Sequence, residues 1–180
     1  MIETISVFIL GIGSLGTLVG ALFVYKTLKA GHDWNRRKYA ADFLQNWDLR
    51  SANYTRAIQE KFPHIRDIDR TTGKGNEITK EMAKKIYTCE PVDKENWELR
   101  FHIIEFLNFL EDVALAYNHN VADREMLLVS IKDTTIRWSD ALRNFMEIVE
   151  ECDGTQPWRT FIDLINEWKS TKVRYRKPTA

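Results

Sequence analysis

KENWELRFHIIEFLNFLEDVALAY, residues 94–117, is the stretch on which the fold turns. Trp97, Phe101, Ile104, Phe106 or Leu107, Leu110, Ala114 and Tyr117 recur at steps of three and four, the period of an α-helix rather than of a strand. A helix with so wide an apolar face belongs in the middle of a bundle. Pro91 and Asp93 mark its start, and the polar triplet Asn118-His119-Asn120 interrupts the pattern. Asp123 then offers a new cap, and Met126, Leu127, Val129 or Ser130, Ile131, Ile136 and Trp138 resume the periodicity. The spacing predicts a hairpin of antiparallel helices.

Toward the C-terminus the second arm continues through Leu142, Phe145, Ile148 and Val149 to Cys152, where Asp153 and Gly154 stop it. Pro157 sits where a first helical turn accepts proline, and a closing helix is expected from Trp158 to Trp168. The last ten residues, 171–180, form a basic tail. Toward the N-terminus a short helix is expected from about Ile78 to Cys89. The mixed polar run from His64 to Asn76 before it reads as the longest loop. Its Gly73-Lys74-Gly75 lacks the spacing and the preceding strand of a phosphate loop. Ser51 is expected to cap a separate segment, ANYTRAIQEKF, which Pro63 ends. Upstream, Tyr39, Phe43 and Trp47 recur every four residues on one helix face. No alternating strand pattern of useful length and no internal repeat is present, so the expected fold is all-α, a bundle of about five to six helices over residues 51–170.

The first thirty residues are of another kind. ISVFILGIGSLGTLVGALFVY, Ile5 to Tyr25, contains no charge and is about the length that crosses ~30 Å of hydrocarbon as a helix. Its glycines suit a membrane helix better than a soluble one. A cleaved leader would need a basic start and a shorter apolar core. Residues 1–30 are therefore expected to be a retained transmembrane anchor, with 31–50 a juxtamembrane helix continuing from it. Only Glu3 precedes the span, whereas Lys26, Lys29, Arg36, Arg37 and Lys38 follow it. The positive-inside rule puts the N-terminus out and the bundle in the cytoplasm. These five cations are also candidate contacts for anionic lipid. Gly16 and Gly20 form a G-x-x-x-G pair that lets two membrane helices approach closely.

Chemistry is harder to find. Formal net charge is zero, but from Lys26 to Lys85 there are 14 basic and 8 acidic residues, and from Glu90 to Trp168 there are 7 and 17. Charge is thus segregated along the chain, and the acidic part is the candidate presentation surface. Only the tail is basic enough to suggest nucleic acid, and membrane proximity favours lipid there, so no nucleic-acid partner is expected. Cys89 and Cys152 lack metal or C-x-x-C spacing and are expected as free thiols. The four histidines are dispersed, and His102 and Glu105 stand in the order His-x-x-Glu on one helix alone, against the Glu-x-x-His pairs of a di-metal bundle. No catalytic residue, metal site, cofactor or small-molecule substrate is identified. Asn108 and Glu111 lie within an otherwise apolar helix and are expected to make internal polar contacts between helices.

The run FLNFLEDVALAY, the turn with Asp123 and Glu125, IRW ending at Trp138, the terminal EW of the last helix, and the Y-A-x-D-F-L-x-x-W pattern from Tyr39 to Trp47 resemble a family of bacterial membrane-anchored helical proteins catalogued as domain of unknown function 4760. The resemblance covers most of the chain. It implies a bacterial or phage source, an inner-membrane location, and internal roles for Asn108 and Glu111. The expected function is a membrane-tethered, non-enzymatic interaction or scaffold module that engages a protein partner or forms a homo-oligomer. The alternatives are a membrane-acting effector or exclusion factor, and an enzyme whose site is assembled from Glu105, Asn108 and Glu111.

Overall fold

In the computed structural model, residues 2–65 and 76–171 are described, with side chains from Gly20 onward except that of Asp48. Residues 66–75 of the loop expected from His64 to Asn76, residues 172–180 of the expected tail and the side chains of the first nineteen residues lie outside the described residues. Among the described residues six helices follow one another: α1 Ile2–Lys61, α2 Lys80–Tyr87, α3 Lys94–Asn118, α4 Arg124–Ala141, α5 Arg143–Asp153 and α6 Arg159–Ser170. No strand occurs among the described residues. The chain is all-α.

Helix α3 is the hub, contacting α1, α2, α4 and α6. Leu99, Ile103, Phe106, Leu107, Leu110, Val113 and Ala114 are buried along it, with Phe145, Phe161, Leu164 and Trp168 from later helices closing the core. The C-terminal half of the buried face follows the expected stripe, but its first two turns do not. Trp97 and Phe101 are 43% and 56% exposed, and Leu99 and Ile103 turn inward instead. Near its N-terminus α3 is apolar on two faces, so the 3.6 period alone admits two registers. The outer one is used by Arg100, whose guanidinium lies 4.6 Å from the centroid of the Tyr87 ring and 5.5 Å from that of Trp97.

The expected break at Ser51 is absent. Helix α1 runs 60 residues without interruption, about 90 Å at 1.5 Å per residue. Ser51 is not a cap but a small buried residue in mid-helix. Packing explains the correction. Ala40, Trp47 and Ile58 are buried, Phe43, Leu44 and Tyr54 half-buried, and all recur at helical spacing on both sides of Ser51. Phe43 stacks on Phe109 at 5.5 Å, and Trp47 meets the same ring at 5.2 Å. Tertiary burial of that face outweighs a local capping preference.

The opposite correction applies further on, where one expected arm is two helices. Leu142 separates α4 from α5, and the Ala141 carbonyl accepts a hydrogen bond from the Ile78 amide at 3.0 Å. Asn144 completes the clasp by donating its side-chain amide to the Ile78 carbonyl at 2.7 Å. The connector before α2 thus takes up the Ala141 carbonyl, which a continuous helix would have paired internally. Gly154, at φ 67°, then ends α5 in the left-handed conformation that glycine adopts without steric cost.

Among the described residues, no helix is long and apolar enough to cross a membrane. Most of the expected span from Ile5 to Tyr25 lies among residues whose side chains are not described.

Candidate functional site

Three regions of the molecule could carry function, and the first is the exposed part of α1. The Arg36 carbonyl ties α1 to the bundle by accepting from the Asp123 amide at 3.2 Å. From Gly20 to Asn35 the side chains are exposed, apart from that of Asp33. Leu22, Phe23, Val24 and Tyr25 are 60%, 72%, 55% and 64% exposed. Four consecutive residues, each 100° further around a helix, form a collar rather than a stripe. Leu28 and Trp34 extend the exposed apolar surface toward the bundle. Between the collar and Arg36 the helix advances about 16 Å.

The five candidate lipid-contacting cations divide in two. Lys26, Lys29 and Lys38 are exposed on this neck. Arg36 pairs with Asp33 at 3.1 Å, and Arg37 reaches the Asp123 carboxylate at 3.5 Å. Asp123 also accepts the Met126 amide at 3.1 Å as the N-cap of α4. One residue therefore caps a helix and fastens the α3–α4 hairpin to α1. The sequence marked Asp123 as a cap but gave no sign of this second role, which depends on a partner some ninety positions away. Of the candidate packing pair, Gly20 is exposed, and a methyl group added there would meet nothing within 4 Å. The surroundings of Gly16 are outside the described residues.

Asn108 and Glu111 form the second region. Asn108, expected to be internal, lies exposed on the outer side of α3, and its Oδ1 accepts the Trp158 indole N–H at 3.0 Å. One turn along, the Glu111 carboxylate accepts the main-chain amides of Thr160 at 3.3 Å and Phe161 at 2.7 Å. Trp158 precedes α6 and supplies no side-chain cap of its own. Glu111 takes that part from a neighbouring helix, bonding the amides that a local N-cap residue would bond, with its charge at the positive end of the helix dipole. Further along, Tyr117 donates to Glu167 at 3.1 Å and packs edge-on against Trp168 at 5.5 Å. Burial pushes the Tyr117 phenol above its ordinary range, and the Glu167 carboxylate adds to the shift. Glu105, the third member of the enzymatic alternative, is half-buried on α3.

Surface clefts form the third region. A groove of about 280 Å³ runs beside α5 and α6, floored by Met146, Trp158, Ile162 and Ile165. A cleft of about 360 Å³ between α1 and α3 is lined by Tyr39, Phe43, Phe109 and Leu115. Another of about 360 Å³ brings Glu60, Glu95, Glu98 and His102 together. Glu105, Asn108 and Glu111 line none of these three. No set of three or more His, Cys, Asp or Glu among the described residues has an arrangement that could hold a metal ion. Cys89 and Cys152 are free thiols, the second exposed.

The family model described as a domain of unknown function (DUF4760) matches residues 11–168. The chain belongs to that family. In this DUF4760 protein the matched region begins inside the apolar N-terminal segment and ends at Trp168, so most of α1 lies within the match. No curated protein and no solved structure matches the chain.

Proposed function

We propose that this DUF4760 protein is a membrane-tethered, non-enzymatic interaction module of a bacterium or phage, anchored by the first part of α1 with its helical bundle in the cytoplasm. The observation that carries the reading is the collar at Leu22–Tyr25. A water-soluble helix that meets a protein partner is apolar along one stripe, and a helix apolar all round is suited to lipid. The collar continues the uncharged run from Ile5, and Lys26 and Lys29 follow it at once, on the side that the positive-inside rule assigns to the cytoplasm. The exposed Asn108 and the half-buried Glu111 act within this reading as contacts that join α6 to α3.

Cys152 provides the test. In bacterial cells expressing the full chain with Cys89→Ser, the protein is expected to remain in membranes after a carbonate wash. A membrane-permeant maleimide is expected to label Cys152, and an impermeant one to leave it unlabelled until the cells are opened. Extraction by carbonate overturns the anchor, and labelling of intact cells by the impermeant reagent overturns the orientation.

A further inference from the structure

We propose that the groove between α5 and α6 binds an extended peptide segment of a partner protein, one that carries an acidic and a basic side chain three residues apart with apolar residues between them. This deepens the reading as an interaction module by giving the partner a chemistry. Helices α5 and α6 are joined by the short turn at Gly154, and their backbones stay apart, with no Cα of one within 8 Å of a Cα of the other. The gap between them is the groove of about 280 Å³. Its floor is apolar and its two ends carry opposite charge.

At one end Arg143 and Lys169 both contact Asp140, Lys169 at 2.7 Å. Two cations share one carboxylate, and they are 51% and 40% exposed, so a second anion can reach them. Toward the other end α5 lines the groove with Glu147 and Glu150, and Glu151 follows beside it. Lys80 pairs with Glu147 at 2.9 Å and Glu151 at 3.9 Å, and Glu150 accepts from the Gln156 side chain. The ion pairs of Lys80 reach two of these three carboxylates, leaving this end negative. Arg143 and Glu150 are seven residues apart on α5, about 10 Å of helical rise. An extended peptide covers the same distance in three residues at roughly 3.3–3.6 Å each. A fatty acid of that length would match only the cationic end and would place its methyl terminus beside Glu150. A peptide with separated charges satisfies both ends and can turn an apolar side chain onto Ile162 and Trp158.

The probes are end-blocked, fluorescently labelled tetrapeptides Lys-Leu-Leu-Glu and Glu-Leu-Leu-Lys, with Gln-Leu-Leu-Gln as the neutral control and octanoate as a competitor. They are titrated against the full chain in detergent micelles by fluorescence anisotropy. One charged peptide is expected to bind in preference to the other and to the control. Arg143→Glu and Glu150→Lys are each expected to weaken it about tenfold. The double variant Arg143→Glu with Glu150→Lys is expected to invert the preference between the two peptides, a result that mere loss of fold cannot produce. Equal binding of charged and neutral peptides, an unchanged preference in the double variant, or binding of octanoate alone overturns the proposal. Because binding is read in micelles, its failure is separate from that of the membrane anchor, which the carbonate wash tests.

Discussion

Glu111 shows how much one side chain can hold together. Removing its carboxylate leaves the Thr160 and Phe161 amides at the start of α6 without their acceptor, on a helix with no local cap. Glu111→Ala is expected to destabilise the bundle by about 1–2 kcal/mol, and Glu111→Gln, which keeps an acceptor, by less. Urea unfolding followed by circular dichroism measures both. Equal stability of the alanine variant and the parent would remove Glu111 from this role. The position of Asn108 and Glu111 within an apolar helix marked them in the sequence as residues needing partners. Which partners could not be read, because α6 lies some fifty positions further on. Two phenols supply a pH dependence. Burial raises Tyr87 and Tyr117 above the ordinary value of 10.0, assisted by hydrogen bonds to Asp153 and Glu167. The folded chain therefore holds both protons more tightly than the unfolded chain. Stability is expected to be level below pH 10 as far as these groups are concerned, and to fall as the pH rises from there through their folded pKa values. Lys80, kept charged by its hydrogen bond with Glu147, adds to the same slope. Tyr87→Phe and Tyr117→Phe are each expected to flatten it in urea unfolding between pH 9 and 11.

Among the elements, those whose ends carry local chemistry were the legible ones. Asp93 and Asp123 cap α3 and α4 through the amides of Asn96 and Met126, and Gly154 ends α5. Ser51 and Leu142 behave otherwise, because each boundary is decided by a distant contact. Ser51 had the right chemistry for a cap but lies under a continuous packed face. Leu142 had none for a break, yet the chain breaks where Ile78 claims the Ala141 carbonyl. The same lesson applies to the groove, whose Arg143, Glu150 and Lys169 look in sequence like ordinary solvated charges. Asp123 combines local and distant roles, and its substitution separates them. Asp123→Ala is expected to cost about 1–2 kcal/mol through the lost cap. Arg37→Ala, which removes only the exposed half of the ion pair, is expected to cost about 0.2–1 kcal/mol. A double-mutant cycle on urea midpoints that shows no coupling between the two would mean that Asp123 serves α4 alone.

The whole molecule is a bundle built along the far half of one helix whose described side chains from Gly20 to Asn35 are exposed, apart from that of Asp33. Ten residues, Lys26–Asn35, separate the collar from Arg36 and its bond to Asp123, and helix α1 passes through them without a break. A flexible tether would leave the bundle free to tumble against a bilayer, whereas a helical neck fixes its height and its rotation together, since each added residue contributes 1.5 Å and 100°. Under the proposed anchoring, inserting Glu-Ala-Ala-Lys after Gly31 is expected to raise the bundle by about 6 Å while turning it by roughly 40°. Inserting Gly-Ser-Gly-Ser at the same place makes the neck flexible and is expected to broaden the height distribution instead. Energy transfer between a dye on Cys152, in the Cys89→Ser chain reconstituted in vesicles, and an acceptor in the headgroup layer reads both outcomes. If the two insertions give the same distribution, the neck does not act as a rigid strut. A neck that does hold the bundle in one orientation would present the groove between α5 and α6 to every partner at the same height and angle.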